Sequence, residues 1–494
     1  MNSFRSHGIA ALMALSMVCL QPAFSADDRP NIVFFIADDI SQDDIGCYGH
    51  PVIKTPHIDA LARDGMRFDN AYLTISSCSP SRCSIITGRY PHNTGAPELH
   101  TKLPDEQVRF PELLREAGYY TVLSGKNHMF GNKDRAFDRI TGGGGPGKEE
   151  DWVGHVKERP RDKPFFFWFA STDAHRPWSI GNEAPKYAVK DVIVPPYLVD
   201  TAITREDLTG YYHEISRFDH YVGLVTAELQ KQGVLENTLI FVAADNGRPF
   251  PRCKSRLYDS GIKTPWVVHF PKVIQDPSTT ESLVSSIDLS ATCLELAGIE
   301  QPDCIQGRSF LPMLKNPKTK VREVVFAEQN WHVYRNHSRM VRFGDFVYIR
   351  NNYPKQQNLC LESHDWPAGE ELWQAHAAGT TTARQQQIFA NPCPEEELYH
   401  VLDDPHQLVN LAGNPQHAAT LAQARQLLEA WTAQTGDSIP ANPTPNRNDP
   451  PRIEGGKILL AGKAKTKNPH AEMPGASNNA SKINHPGPIL IHQP

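Results

Sequence analysis

Two kinds of stretch in this sequence carry residue types that could do chemistry together. The first is SSCSPSR, residues 76–82, which sets Cys78 just ahead of Pro80 and Arg82. Proline suits the first position of a helix and Ser79 suits its cap, so the spacing predicts Cys78 beside a helix N-terminus. Such a place attracts an anion and stabilises a reactive thiolate. Cys78 looks too exposed for core packing, although a buried structural cysteine is the bland alternative. The second kind is the acid-rich end of an apolar run. Asp38-Asp39 follows residues 31–37 (NIVFFIA), and Asp245-Asn246 follows residues 238–244 (TLIFVAA). An isolated Asp-Asp pair reads as a solvated strand end or a helix cap. Two such ends on neighbouring strands instead bring four oxygen donors to one sheet edge, and all-oxygen ligation selects calcium or magnesium over zinc.

The elements that must position these residues follow from the hydrophobic pattern. Residues 31–37 form an uninterrupted apolar run, the mark of a strand buried on both faces. Further strands are expected at 120–124, 164–170 and 238–244, with helices near 111–117 and from about 205 to 232. Alternation of this kind predicts an α/β architecture with a doubly wound, mostly parallel sheet, which holds ligands at its C-terminal strand ends. Residues 142–147 (GGGGPG) read as a flexible loop, because no Gly-Lys-Ser/Thr follows to make a phosphate loop. After about residue 325 the texture changes. Residues 340–350 (MVRFGDFVYIR) alternate like one antiparallel strand, and residues 420–432 have helical periodicity ending near Gly436. The expected division is a leader at 1–25, a catalytic domain at 26–325, a smaller α+β domain at 326–440, and an extended Pro/Asn/Lys-rich tail at 441–494.

Composition narrows the function. The chain has 494 residues and a formal charge of −6, which gives no global field for nucleic acid, so cations that hold an anionic substrate must be local. An apolar run at 9–20 followed by Ala23-Phe24-Ser25 reads as a signal peptide cleaved after Ser25. That run is shorter than the ~20 residues a membrane span requires. Secretion or a periplasmic location is therefore expected, with no membrane span. The nine cysteines lack any Cys-x-x-Cys pair, which argues against a zinc cluster. One or two disulfides are compatible with the pattern, Cys360 with Cys393 foremost.

Cys78-x-Pro80-Ser81-Arg82, then four residues and Thr87-Gly88, resembles the signature of the type I sulfatases of the alkaline phosphatase superfamily. The resemblance spans residues 29–436 and implies an alkaline phosphatase-like fold. It implies that Cys78 is oxidised by a maturase to Cα-formylglycine, and that Asp38, Asp39, Asp245, Asn246 and the modified Cys78 hold Ca2+, with Mg2+ the lesser choice. Arg82 would orient the formylglycine. Lys126 and His128, in Gly125-Lys126-Asn127-His128, would bind sulfate and polarise the aldehyde hydrate. His175 would be the general acid for the leaving group, and Lys254 a further sulfate contact. The stretch after Asn246, Gly247-Arg248-Pro249, lacks the His-Gly often found there. With Ser77 to Arg82 and Asp173-Ala174-His175-Arg176, it looks closest to the heparan N-sulfatase (sulfamidase) branch, which takes in bacterial polysaccharide sulfatases. His100, Arg176, Arg248, Arg252 and His332 are candidates for the sugar pocket. The expected activity is removal of an O-sulfate ester from a sulfated oligosaccharide or polysaccharide. An N-sulfoglucosamine sulfohydrolase, a phosphonate or phosphodiester hydrolase, and an inactive glycan-binding protein are the alternatives.

Overall fold

The computed structural model describes residues 29–357, 359–454, 457–459 and 480–489. The expected signal peptide lies outside them. No helix among the described residues is long and apolar enough to cross a membrane.

Asn31–Ala37 is fully buried, and its side chains alternate between two cores. Ile32, Phe34 and Ile36 face one, and Val33, Phe35 and Ala37 face the other. A strand apolar on both faces must lie in the middle of a sheet covered on both sides, and it does. The eight-stranded sheet runs Arg139–Thr141, Tyr120–Gly125, Phe165–Ala170, Asn31–Ala37, Thr238–Ala244, Val267–His269, Met66–Phe68, Ser278–Thr280. Its first five strands are parallel. Val267–His269 pairs antiparallel with both of its neighbours. Helix Ala202–Lys231, capped by Thr201 Oγ1 accepting from Thr204 N at 3.1 Å, covers one face. Cys78–Thr87 and Asp288–Leu296 pack against the other core.

The smaller sheet is antiparallel, in the order Val324–Gln329, Ser338–Phe343, Phe346–Asn351, Glu396–His400. Residues 340–350 thus form two strands rather than one. Gly344, at φ 48°, turns the chain back so that Phe343 pairs with Phe346. Alternation has the same period on both sides of a tight turn, which hides the reversal. Helix Ala418–Thr435 lays Leu421, Ala424, Leu428 and Trp431 on one face of this sheet, with Trp431 stacked on Phe326 at 5.2 Å. The other face packs Val325, Ala327, Met340 and Val347 against Tyr72, Leu257 and Ile262 of the larger unit.

The expected bridge between Cys360 and Cys393 is absent, and the eight described cysteines are all free thiols. The Cys360 thiol is turned instead to Ser363 Oγ, 3.0 Å away.

Candidate active site

The sheet itself brings the acids together. Asp38 N donates to Asp173 O (2.8 Å), Ala174 N to Asp38 O (2.6 Å) and Asp245 N to Ala37 O (3.1 Å), so the three central strands end level with one another. Asp39 then adopts φ 59°, a left-handed conformation that aspartate tolerates better than most residues. Asp39 N donates to Asp245 Oδ1 at 3.3 Å, and Lys254 Nζ to Asp39 Oδ2 at 2.8 Å. Asp38, Asp39, Asp245 and Asn246 are wholly buried.

Helix Cys78–Thr87 begins two residues earlier than its sequence suggests. Ser77 stands at the cap position and Cys78 is the first helical residue. Pro80 is therefore third, still within the first turn, where a backbone N–H has no helical partner to lose. Ser77 does not cap with its side chain, because its hydroxyl meets His332 Nδ1 at 2.7 Å. Nor is Cys78 exposed, with only 2% of its surface accessible. Burial, abetted by Asp38 and Asp245, pushes its thiol well above the usual range despite Lys126 and Lys254, so the unmodified cysteine is not the stabilised thiolate its helix position suggests. At the helix end Gly88 takes φ 64°, and a Cβ there would lie 2.1 Å from Ser290 Oγ.

Cys78 Sγ lies 3.7 Å from Asp38 Oδ1 and 4.0 Å from Asp39 Oδ1. One ligand atom from each of Asp38, Asp39, Cys78 and Asp245 falls within 4.8 Å of the others. Asn246 Nδ2 donates to Asp39 Oδ1 at 2.6 Å, which leaves Asn246 Oδ1 buried without a partner. A buried carbonyl oxygen of that kind is costly unless something electropositive takes it. Three carboxylates with a lone amide oxygen are the hard donor set of a calcium or magnesium ion, and they fit one.

Three cations face the acids. Arg82 Nε donates to Asp245 Oδ2 at 2.7 Å and Arg82 Nη1 to Lys126 O at 2.9 Å. Lys126 Nζ is paired with Asp38. Burial alone would lower Lys126, but Asp38, joined by Asp245, outweighs it and holds the ammonium above its usual range. Lys126 follows Gly125, whose φ of 102° and crowding against Ala170 O leave no room for a Cβ. Ser255 N donates to Ser76 O at 2.9 Å and so ties the turn bearing Lys254 to the loop before Cys78.

Histidines form the rim. His128 Nε2 and His100 Nδ1 share a hydrogen bond of 2.7 Å, and His100 N donates to Ser79 Oγ at 2.7 Å. Burial, then Lys126, drives His128 far below the ordinary imidazole range. His175, like His100, is exposed, and its Nδ1 lies 2.5 Å from Arg176 O. A carbonyl oxygen only accepts, so Nδ1 carries the proton and the neutral ring presents a bare Nε2. Loss of surrounding water, with Lys254 and Lys126 nearby, lowers His175 to about 4.

The arginines proposed for the sugar pocket are engaged elsewhere. Arg176 forms a two-pronged pair with Asp207 (2.5 and 2.7 Å) and is stacked on Trp178 and Phe250. Arg248 meets Asp43, Asp44 and Ser41. Arg252 donates to Gln387 Oε1 at 2.6 Å and lies over the Tyr258 ring. All three build the wall around the turn bearing Lys254 rather than joining the group about Cys78. Glu362, which no motif flags, comes within 3.7 Å of Lys254 Nζ and keeps Oε2 buried and unpartnered. It sits in CLESH, more than 100 residues beyond Lys254, so only the folded chain joins them.

Comparison with known proteins gives this geometry a lineage. A sulfatase family model matches residues 30–152 and 148–299, and an N-sulphoglucosamine sulphohydrolase C-terminal model matches 253–353. An ulvan-active sulfatase of Formosa agariphila is 32% identical over 465 residues, covering 83% of this chain and 76% of its own length. The N-sulphoglucosamine sulphohydrolase of Homo sapiens is 30% identical over 470 residues, covering 83% and 91%. Among solved structures, BT4656 in complex with its substrate D-glucosamine-2-N,6-O-disulfate shares the fold at a TM-score of 0.63 and 20% identity, over 82% of this chain and 98% of that one. Buried acids on parallel strand ends, a cysteine at the head of a buried helix and these relatives lead to one conclusion: the chain belongs to the sulfatase family, enzymes that hydrolyse sulfate esters.

Proposed function

We propose that this sulfatase removes an O-sulfate ester from a sugar of a sulfated oligosaccharide, using Cys78 as Cα-formylglycine and a calcium ion. The observation that carries the reading is the buried meeting of Cys78 with Asp38, Asp39 and Asp245 opposite Arg82, Lys126 and Lys254. Three carboxylates balance three cations there, so a bound divalent ion would leave the pocket net positive toward a sulfate anion. Asp38, Asp39, Asp245 and the orphaned Asn246 Oδ1 would hold that ion, and calcium would supply charge to the sulfate oxygens. A maturase-formed, hydrated formylglycine supplies two hydroxyls on one carbon, one to take the sulfuryl group and one to expel it as the carbonyl re-forms.

The chain's own residues do the rest. Arg82 fixes Asp245 and the Lys126 carbonyl, and Lys126 and Lys254 face the sulfate oxygens. His175, placed at the rim, would give the leaving alkoxide its proton through Nε2. It is neutral at neutral pH while two ammoniums lie near, and an arriving anion offsets them and raises it toward protonation. The signal-like leader supports a secreted or periplasmic setting. A second reading, cleavage of an N-sulfate, is favoured by the match of residues 253–353 to the N-sulphoglucosamine sulphohydrolase C-terminal model.

Release of sulfate from glucosamine-2-N-sulfate and from matched O-sulfated sugars separates the two. Turnover of O-sulfates is expected, and turnover of the N-sulfate alone would reverse the preference. Mass spectrometry of the tryptic peptide 68–82 after co-expression with a maturase is expected to find the aldehyde. A persistent thiol with undiminished activity would end the formylglycine reading.

A further inference from the structure

Residues 444–447 cross the two loops that carry His100 and His332. Thr444 Oγ1 donates to the Glu98 carboxylate (2.7 and 2.9 Å). Trp331 Nε1 donates to Pro445 O (2.8 Å), Arg335 N to Asn446 Oδ1 (2.7 Å), and Arg447 N to Val333 O (2.8 Å). Four successive residues are thus each fixed by a hydrogen bond, and the segment forms a strap at a defined register. The loops beneath it reach the head of the Cys78 helix. His332 is bonded to Ser77 and His100 N to Ser79, the two chain neighbours of Cys78.

Arg447 is the cation this strap delivers. Its charge bears on the His100 ring and, after burial, is the strongest influence lowering it. Its Nε is buried and without a partner, and among the described residues no carboxylate pairs with its guanidinium. Arg176 and Arg248, by contrast, are spent on acids, and Arg252 on Gln387 and the Gln407 carbonyl. A half-buried guanidinium with open donors is completed by an oxyanion, which its planar fork holds through two parallel hydrogen bonds.

We propose that Arg447 is a specificity residue, which takes a second anionic group of the glycan, a sulfate or a carboxylate, while the scissile sulfate lies at Cys78. This rests on the glycan sulfatase reading above. The test compares wild type, Arg447→Gln and Arg447→Lys on three substrates: a singly sulfated neutral sugar, the same sugar with a second sulfate, and a disaccharide that pairs it with a uronate. Arg447→Gln is expected to raise KM about tenfold on the two-anion substrates, the size of one lost charge-assisted hydrogen bond. The expected kcat is unchanged, as are both constants on the singly sulfated sugar. Arg447→Lys should fall between. Which of the two-anion substrates responds identifies the anion. Equal losses on all three substrates, or a two-anion preference that survives in Arg447→Gln, would overturn the role of the strap. A wild type idle on every sulfated sugar would overturn the glycan reading instead.

Discussion

Ser77 Oγ lies 2.7 Å from His332 Nδ1, a bond between the residue preceding Cys78 and the loop that leaves the first strand of the smaller sheet. Both residues are buried, and burial followed by Lys254 keeps His332 far below the usual imidazole range, hence neutral. The smaller sheet therefore helps to fix the head of the helix that begins at Cys78. His332→Ala and Ser77→Ala are each expected to lower kcat about tenfold, the scale of one buried hydrogen bond, with KM little changed. Because the two act through one bond, the double variant should be no worse than the poorer single one. Sulfate release kinetics on all four proteins would show this, and additive losses would show that they act apart.

Calcium removal should be visible without any turnover. Asp38, Asp39 and Asp245 stand together in a wholly buried site, and Asn246 Oδ1 lacks a partner there. Chelation should lower both activity and melting temperature. Returning calcium to about 100 times its dissociation constant should restore about 2.7 kcal/mol. Magnesium should restore less, since it demands near-octahedral geometry and gives up water reluctantly. Melting curves unmoved by chelator and by calcium would contradict the ligand set.

Behind the site, Arg217 holds Asp173 through two bonds of 2.7 Å and lies 3.3 Å from Glu214, with Glu149 close by. Burial, then Asp173, pushes Glu149 well above the usual carboxyl range, so it is a neutral acid in the fold. Arg217→Met should cost about 3–5 kcal/mol, because it strands a buried charge. Glu149→Gln, which mimics the protonated acid, should cost far less. Urea melts of both variants would settle it, and equal losses would mean that Glu149 is ionised.

The sequence made much of this legible, for a reason particular to each element. Residues 31–37 and 238–244 are apolar without interruption, which only a strand buried on both faces requires, so the acids at their ends were bound to share a sheet edge. Lys126, His175 and Lys254 follow the same logic at neighbouring strand ends and turns. The burial of Cys78 was not readable, because a Ser-rich stretch looks like surface until its hydroxyls find partners such as His332 and His100 N. Arg176, Arg248 and Arg252 looked like free cations because their acids and amides, Asp207, Asp43 and Gln387, are remote in the chain or belong to other turns. Glu362 and Arg447 reach the site through tertiary contacts alone, which no spacing rule encodes.

His337 offers a pH test away from the chemistry. Arg339 Nη2 lies 2.8 Å from His337 Nε2 and Asn352 Nδ2 lies 2.8 Å from its Nδ1, with Ser438 O, Asp437, His92 and the Tyr353 ring nearby. Burial and then Arg339 lower the ring to about 3, although Asp437 opposes them. The unfolded chain takes up a proton near pH 6.5 while the folded one does not, so unfolding gains protons between about pH 6.5 and 3. Stability from this group is thus fully present above pH 6.5 and lost on acidification, by at most about 1.4 kcal/mol per pH unit. Asp44, Asp219 and Glu98, each raised to about 7 by burial, work in the opposite sense, since what they contribute is lost as pH rises through 7. The informative quantity is therefore the difference between wild type and His337→Gln. That difference should shrink as pH falls from 6.5 toward 3, and one that is flat with pH would mean that His337 titrates alike in both states.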